Sequence, residues 1–180
     1  MTQWPWPEPD DGDSPRHLQR GQPLPDLALP ATTGTTISIS RLTGRTVAFF
    51  YPWTGRPGVA NPPGWDQIPG AHGSTPEAEG FRESYSKYTE FGFEVLGVSM
   101  QPPEEQQEFA TRLALPYPLL SDQYGTLSGS LRLPSFEAGG TVYLKRLTLV
   151  VANGLIERVV YPVHPPDTHP KDLLAELRPL

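Results

Sequence analysis

A chain of 180 residues with 14 Lys and Arg against 20 Asp and Glu, formal net charge −6, suits a single domain and offers phosphate backbones and anionic membranes little attraction. No stretch approaches the ~18 apolar residues of a membrane span, and the acidic, proline-broken start MTQWPWPEPDDGD lacks the basic end and apolar core of a secretory signal. A cytoplasmic protein without nucleic-acid or membrane partners is therefore expected. Zero cysteines remove disulfides, thiolate zinc sites and iron–sulfur clusters.

Residues 1–23 form a Pro-rich N-terminal arm with no period, and 24–180 the domain. Trp4 and Trp6 in the arm call for an apolar groove, on their own fold or on a partner. LPDLALPATTGTTISISRL predicts a short hairpin turning at Gly34. RTVAFFYP, residues 45–52, is near-continuously apolar and ends at Pro52, which predicts a central strand buried on both faces. The next twenty-one residues, to Gly73, hold four prolines and five glycines. A connection this long is more often functional than accidental.

From Ser74 the chain reads as a helix. Ser74 is the expected N-cap, Pro76 lies in the first turn, Glu77 is the capping-box partner, and Gly92 is the stop. Ala78, Phe81, Tyr85 and Tyr88 or Phe91 give it one buried stripe. A second buried strand (93–100) follows, then a helix over PPEEQQEFATRLAL, a short strand in YPLLSD, and a short helix or turn in QYGTLSGSLRLP. TVYLKRLTLVVANGLIERVVYP predicts two strands around the Asn153-Gly154 turn, and DTHPKDLLAELRPL a closing helix capped at Asp167 or Thr168. The order gives an α/β fold, a mixed central sheet with helices on both faces, which a thioredoxin-like sandwich satisfies.

The succession AFFYP, loop, GSTPEAEGFRES at a helix start, FEVLGVS, YPLLSD and YLKRLTLVV resembles a peroxiredoxin of the bacterioferritin-comigratory (Q-type) group, over Gly21 to Leu177. The resemblance implies a thioredoxin-like peroxiredoxin fold. It also implies a thiol-dependent antioxidant peroxidase that reduces hydrogen peroxide and organic hydroperoxides without metal or cofactor. An external thiol, thioredoxin-like or small, would serve as reductant, and the protein would be a monomer. The family motif P-x-x-x-T-x-x-C assigns Pro52 as its proline, Thr54 as its threonine and Ser74 to the peroxidatic cysteine position, while Arg146 matches the arginine brought to the sulfur. The segment between Thr54 and Ser74 is much longer than the motif, and Glu79 stands where many members carry a resolving cysteine.

A thiol attacks an O–O bond as its thiolate, which a helix N-terminus and a guanidinium stabilise. A serine hydroxyl stays protonated near neutral pH and forms no sulfenic acid, so the chain with Ser74 is expected to be inactive and the Cys-bearing form active. Replacement of a cysteine by its isostere is one origin of Ser74. The alternative is a naturally cysteine-less, non-catalytic relative whose loop and Trp4/Trp6 arm serve binding.

Other residues carry plainer readings. Ser74 by itself is a common cap, Arg82 a solvated or structural charge, and Arg146 a strand arginine raised by its context. His72 precedes Ser74 by two, but AHGSTPE is no G-x-S-x-G elbow and no acid is evident to orient the imidazole. His164 and His169 read as surface histidines near a cap. Trp53, Trp65 and Tyr51 are expected to pack the long loop.

Overall fold

Alternation along one strand sets out the architecture. In β3 (Arg45–Phe50), Val47 and Phe49 point to one side with Tyr51 just beyond, and Ala48 and Phe50 to the other, all at most 2% exposed. Both faces are thus apolar, as a central strand requires. A computed structural model describes residues 4–12 and 14–177. β3 pairs in parallel with β4 (Phe93–Ser99) and antiparallel with β8 (Leu147–Ala152). With β5 (Leu119–Ser121) and β9 (Leu155–Val160) outside them, the sheet order is β5-β4-β3-β8-β9.

Helices α1 (Ser74–Glu90), α2 (Pro103–Arg112) and α4 (His169–Glu176) bury their apolar sides on the Val47/Phe49 face. The other face is covered by α3 (Thr126–Leu131) and by the chain leading into β1 (Leu29–Pro30) and β2 (Thr36–Ile37). The mixed sheet flanked by helices on both faces is therefore as expected. On α1 the stripe runs through Ala78, Phe81 and Tyr88, with Tyr85 and Phe91 at its edge. The Tyr88 hydroxyl donates to the Pro170 carbonyl at 2.6 Å, tying α1 to α4.

Phe49 stacks on Phe81 with ring centroids 4.5 Å apart and meets the Tyr117 ring edge-on. Phe49→Ala is expected to cost about 3–5 kcal/mol, because the sheet and α1 cannot both collapse into the cavity. A shift of the urea midpoint at unchanged slope checks it.

Two elements differ from expectation. TVYLKRLTLVV is not one strand: β7 (Thr141–Leu144) ends before Lys145 and pairs with β6 (Ser135–Ala138) in a separate hairpin. Gly139 and Gly140, at φ +56° and +79°, make its two-residue turn. Arg146 falls at the break between β7 and β8 and not within a strand. The long loop contains one short 3₁₀ turn, Trp65–Gln67, and packs on this hairpin. Trp65 meets Trp53, Phe136 and Tyr143 with ring centroids 5.1–5.6 Å apart. Tyr51 belongs instead to the main core.

The arm lies along the domain. Leu18 sits in the core, and Gly21 N–H donates to the Ile156 carbonyl at 2.7 Å. Trp4 and Trp6 have found a groove on their own fold, beside the start of α1.

Candidate active site

Gly73 is the residue before α1, at φ +117° with no side-chain cap, so Ser74 is the first helical residue and not the cap. Only glycine adopts that dihedral without strain. A side chain there would also strike Pro166 and Trp4, whose atoms lie 2.2 and 2.9 Å from where its Cβ would be.

The Ser74 hydroxyl is left for another partner. Arg146, 3% exposed, reaches the helix start from the β7–β8 break. Its Nη2 donates to Ser74 Oγ at 3.1 Å and, more weakly, to the Ala71 and His72 carbonyls at 3.4 and 3.3 Å. Its Nη1 donates to Glu77 Oε2 at 2.5 Å. Glu77 is therefore no capping-box partner. It is wholly buried, one turn into the helix, where three residues' spacing puts it on the same face as Ser74. A cap and an ion-pair partner share the S-x-x-E spacing, and only burial separates them.

Pro52 and Thr54 sit apart from this cluster. Thr54 is buried, and its N–H and hydroxyl both donate to Gln101 Oε1 at 3.1 Å. It lines a cavity of about 330 Å³ with Trp53, Gln101 and the acidic face of α2. Pro52 lines a neighbouring cavity with Met100 and Tyr143. No hydrogen bond joins Thr54 to Ser74 or Arg146 among the described residues. Counting T-x-x-C back from Ser74 lands on Ala71, which contributes a main-chain carbonyl where the motif has a hydroxyl. Strict spacing in the sequence points there.

His169 is a second correction. It is buried, not a surface histidine, and shares a 2.9 Å hydrogen bond with the Thr148 hydroxyl. Burial, with help from the Arg146 charge, lowers its pKa to about 4, so it is neutral at pH 7. His72 does have an acid beside it, Asp66 at 2.7 Å, yet no hydrogen bond joins its ring to Ser74 among the described residues. A hydrolase relay is not assembled. Arg82 donates to the Leu113 carbonyl at 2.7 Å, a structural charge.

Burial also raises the Glu77 carboxyl to about 7, with Arg146 pulling against it. The two buried acids and bases act in opposite senses on stability. Glu77 binds more protons folded than unfolded between its usual value and about 7, so it makes stability fall as pH rises through that window. His169 binds fewer between about 4 and its usual value, so it makes stability rise. From roughly pH 4.5 to 6.5 the slopes cancel. Glu77→Gln is expected to leave a stability that climbs with pH there, and His169→Gln one that declines, each by on the order of 3 kcal/mol in all. Calorimetry across that range checks both signs.

A thioredoxin-like sandwich with a strand-end arginine at the first turn of its long helix is the architecture of the peroxiredoxins. The AhpC/TSA family model matches residues 68–159, just over half of the chain, and the chain belongs to that family. The chloroplastic peroxiredoxin Q of Populus jackii is 28% identical over 164 residues, 91% of this chain and 70% of the relative. That of Sedum lineare is 29% identical, spanning 80% of the relative. The peroxidoxin BcpB of Mycobacterium tuberculosis superposes with a TM-score of 0.70 at 29% identity, covering 88% of this chain and 96% of the other. A PrxQ mutant from Xylella fastidiosa, at 0.71 and 20% identity, supports the fold alone.

Proposed function

We propose that position 74 is the reaction centre of a thiol peroxidase scaffold, and that Ser74 leaves the chain without its nucleophile. The observation that carries this is the 3.1 Å bond from Arg146 Nη2 to Ser74 Oγ at the first turn of a 17-residue helix. A group at that spot faces a guanidinium and the positive end of a helix dipole, the two fields that favour an anion.

With sulfur in place the step balances. The thiolate attacks the near oxygen of the peroxide, the S–O bond forms as the O–O bond breaks, and sulfur is oxidised by two electrons. The far oxygen leaves as hydroxide or alkoxide and takes a proton to become water or alcohol. Arg146 stabilises the charge developing there. Two equivalents of an external thiol then reduce the sulfenic acid, giving a disulfide of the reductant and water. Serine has no such oxidation state available, so peroxide is not consumed. Glu79 supplies no second thiol. A cytoplasmic setting and a monomeric state belong to this proposal and rest on the sequence reading above.

The rival, a cysteine-less binding protein, relied on the long loop and the tryptophan arm as open surfaces. The arm's two rings and the loop's Trp53 and Trp65 are packed on the fold itself, which leaves residues 56–61 as the loop's exposed stretch. The test is Ser74→Cys with hydrogen peroxide and a small thiol. A catalytic rate no greater than the free thiol's, with the fold intact, would reject the peroxidase reading and return support to the rival.

A further inference from the structure

The arm crosses the start of α1. Trp6 stacks on the His72 ring, centroids 3.7 Å apart and planes 10° from parallel. Trp4 lies against Gly73 from the side where a Cβ would stand, with Pro166 beside it. The Pro7 carbonyl accepts from Gly70 N–H at 3.1 Å, and Pro9 also rests on Gly70. Further along, Asp11 pairs with Lys145 and accepts from the Tyr161 hydroxyl at 2.6 Å. Residues 4–11 thus strap the loop 70–73, fastened at the Asp11 end to the residue next to Arg146.

Beneath the strap Ser74 is only 5% exposed. The residues leading into it are covered by Trp4 and Pro166 over Gly73 and by Trp6 over His72, and Arg146 donates to its Oγ. Two of these four residues come from the arm. They are held by stacking and apolar contact, which can open locally without disturbing the sheet.

We infer that Trp4 and Trp6 are specificity-determining residues for position 74, forming a wall that admits small reagents and slows bulky ones. The inference rests on position 74 being the reaction centre. On this reading the rings narrow the approach to Ser74, and the strap takes up volume an alkyl group would need.

The experiment uses the full chain carrying Ser74→Cys, with and without Trp4→Ala and Trp6→Ala together. Second-order rates are measured for iodoacetamide and for a bulky aryl maleimide, and in parallel for hydrogen peroxide and cumene hydroperoxide. Removing the rings is expected to raise the bulky alkylation rate by about tenfold or more and the small one by less than about threefold, as expected for a local opening made easier. Equal acceleration of both reagents, or none of either, overturns the inference. Asp11→Ala, which unfastens the strap at its other end, should move the ratio the same way and serves if the double variant fails to fold. The two peroxides test the underlying reading separately. Size-dependent alkylation with no peroxidase activity leaves the wall standing and rejects the reaction proposed for it. Peroxidase activity with size-blind alkylation does the opposite.

Discussion

Ser74→Cys is expected to turn a chain with no peroxide consumption above the blank into one that reacts at least about tenfold faster than a free thiol at the same pH, because position 74 lies where an anion is held. Two contributions produce that. The Arg146 guanidinium, 3.1 Å from the present hydroxyl, and the α1 dipole should draw the thiol below its usual pKa of about 8.5. The thiolate's ultraviolet absorbance, titrated against pH, reads this directly. The same donor then remains in place as charge leaves the sulfur for the departing oxygen.

Glu77 works against the first contribution. It shares the guanidinium, and when ionised it cancels part of the field. Adding Glu77→Gln to Ser74→Cys is expected to lower the thiol pKa further, and a rise would show that Arg146 had been displaced. The rate should also stay below that of a complete motif. Thr54 is committed to Gln101, and one missing hydrogen-bond donor at a reacting centre is worth about 10²–10³ in rate. A thiol pKa left at its usual value would mean that the Arg146 contact does not persist with sulfur, and the argument from electrostatics would fail even if some activity appeared.

Periodicity made the sheet legible before any coordinates. β3 and β4 announce themselves as apolar runs, and the Asn153-Gly154 turn, at φ +47° and +79°, lies where a hairpin requires it. The β6–β7 hairpin was hidden because YLKRLTLVV is apolar on both sides of Lys145-Arg146, and an apolar run carries no mark where its pairing changes. Gly139-Gly140 was the available signal. The site was legible in its two ends, Ser74 and Arg146, because their surrounding motifs resemble a family.

What lies between those ends was not legible. S-x-x-E reads as a capping box in a solvated helix and as one face of an ion pair in a buried one, and the sequence does not state burial at that resolution. His169 was misread for the same reason: a histidine before a proline at a helix start looks like surface until α4 is seen lying on α1. Thr54 failed by a different route. The long loop separates motif positions that are adjacent in the compact form, and strict spacing selects Ala71, which carries no hydroxyl.

Arg146→Met should be among the most damaging single changes, costing about 3–5 kcal/mol above neutral pH, since there it either leaves the Glu77 carboxylate buried without its cation or forces it to take up a proton to fold. Oε1 of Glu77 already lacks a hydrogen-bond partner among the described residues, so no second donor stands ready to absorb the loss. The loss should depend on pH in a definite sense. Without the guanidinium, burial acts on Glu77 unopposed and its folded-state pKa moves higher still than about 7. Folding then takes up a proton over a wider window, and stability declines with rising pH at about 1.4 kcal/mol per unit through that window. Below about pH 7 the folded state holds Glu77 protonated with or without the guanidinium, so the electrostatic part of the loss is small there and mainly the loss of packing persists. Arg146→Met combined with Glu77→Gln removes the stranded group and should recover most of the stability above neutral pH, as replacing both members of a buried pair generally does. Denaturant midpoints for the two single variants and the double one, taken at two pH values on either side of the window, decide it. If Arg146→Met is equally destabilising at both pH values and is not relieved by Glu77→Gln, the arginine contributes by packing alone, and the anion-holding field proposed for position 74 loses its source.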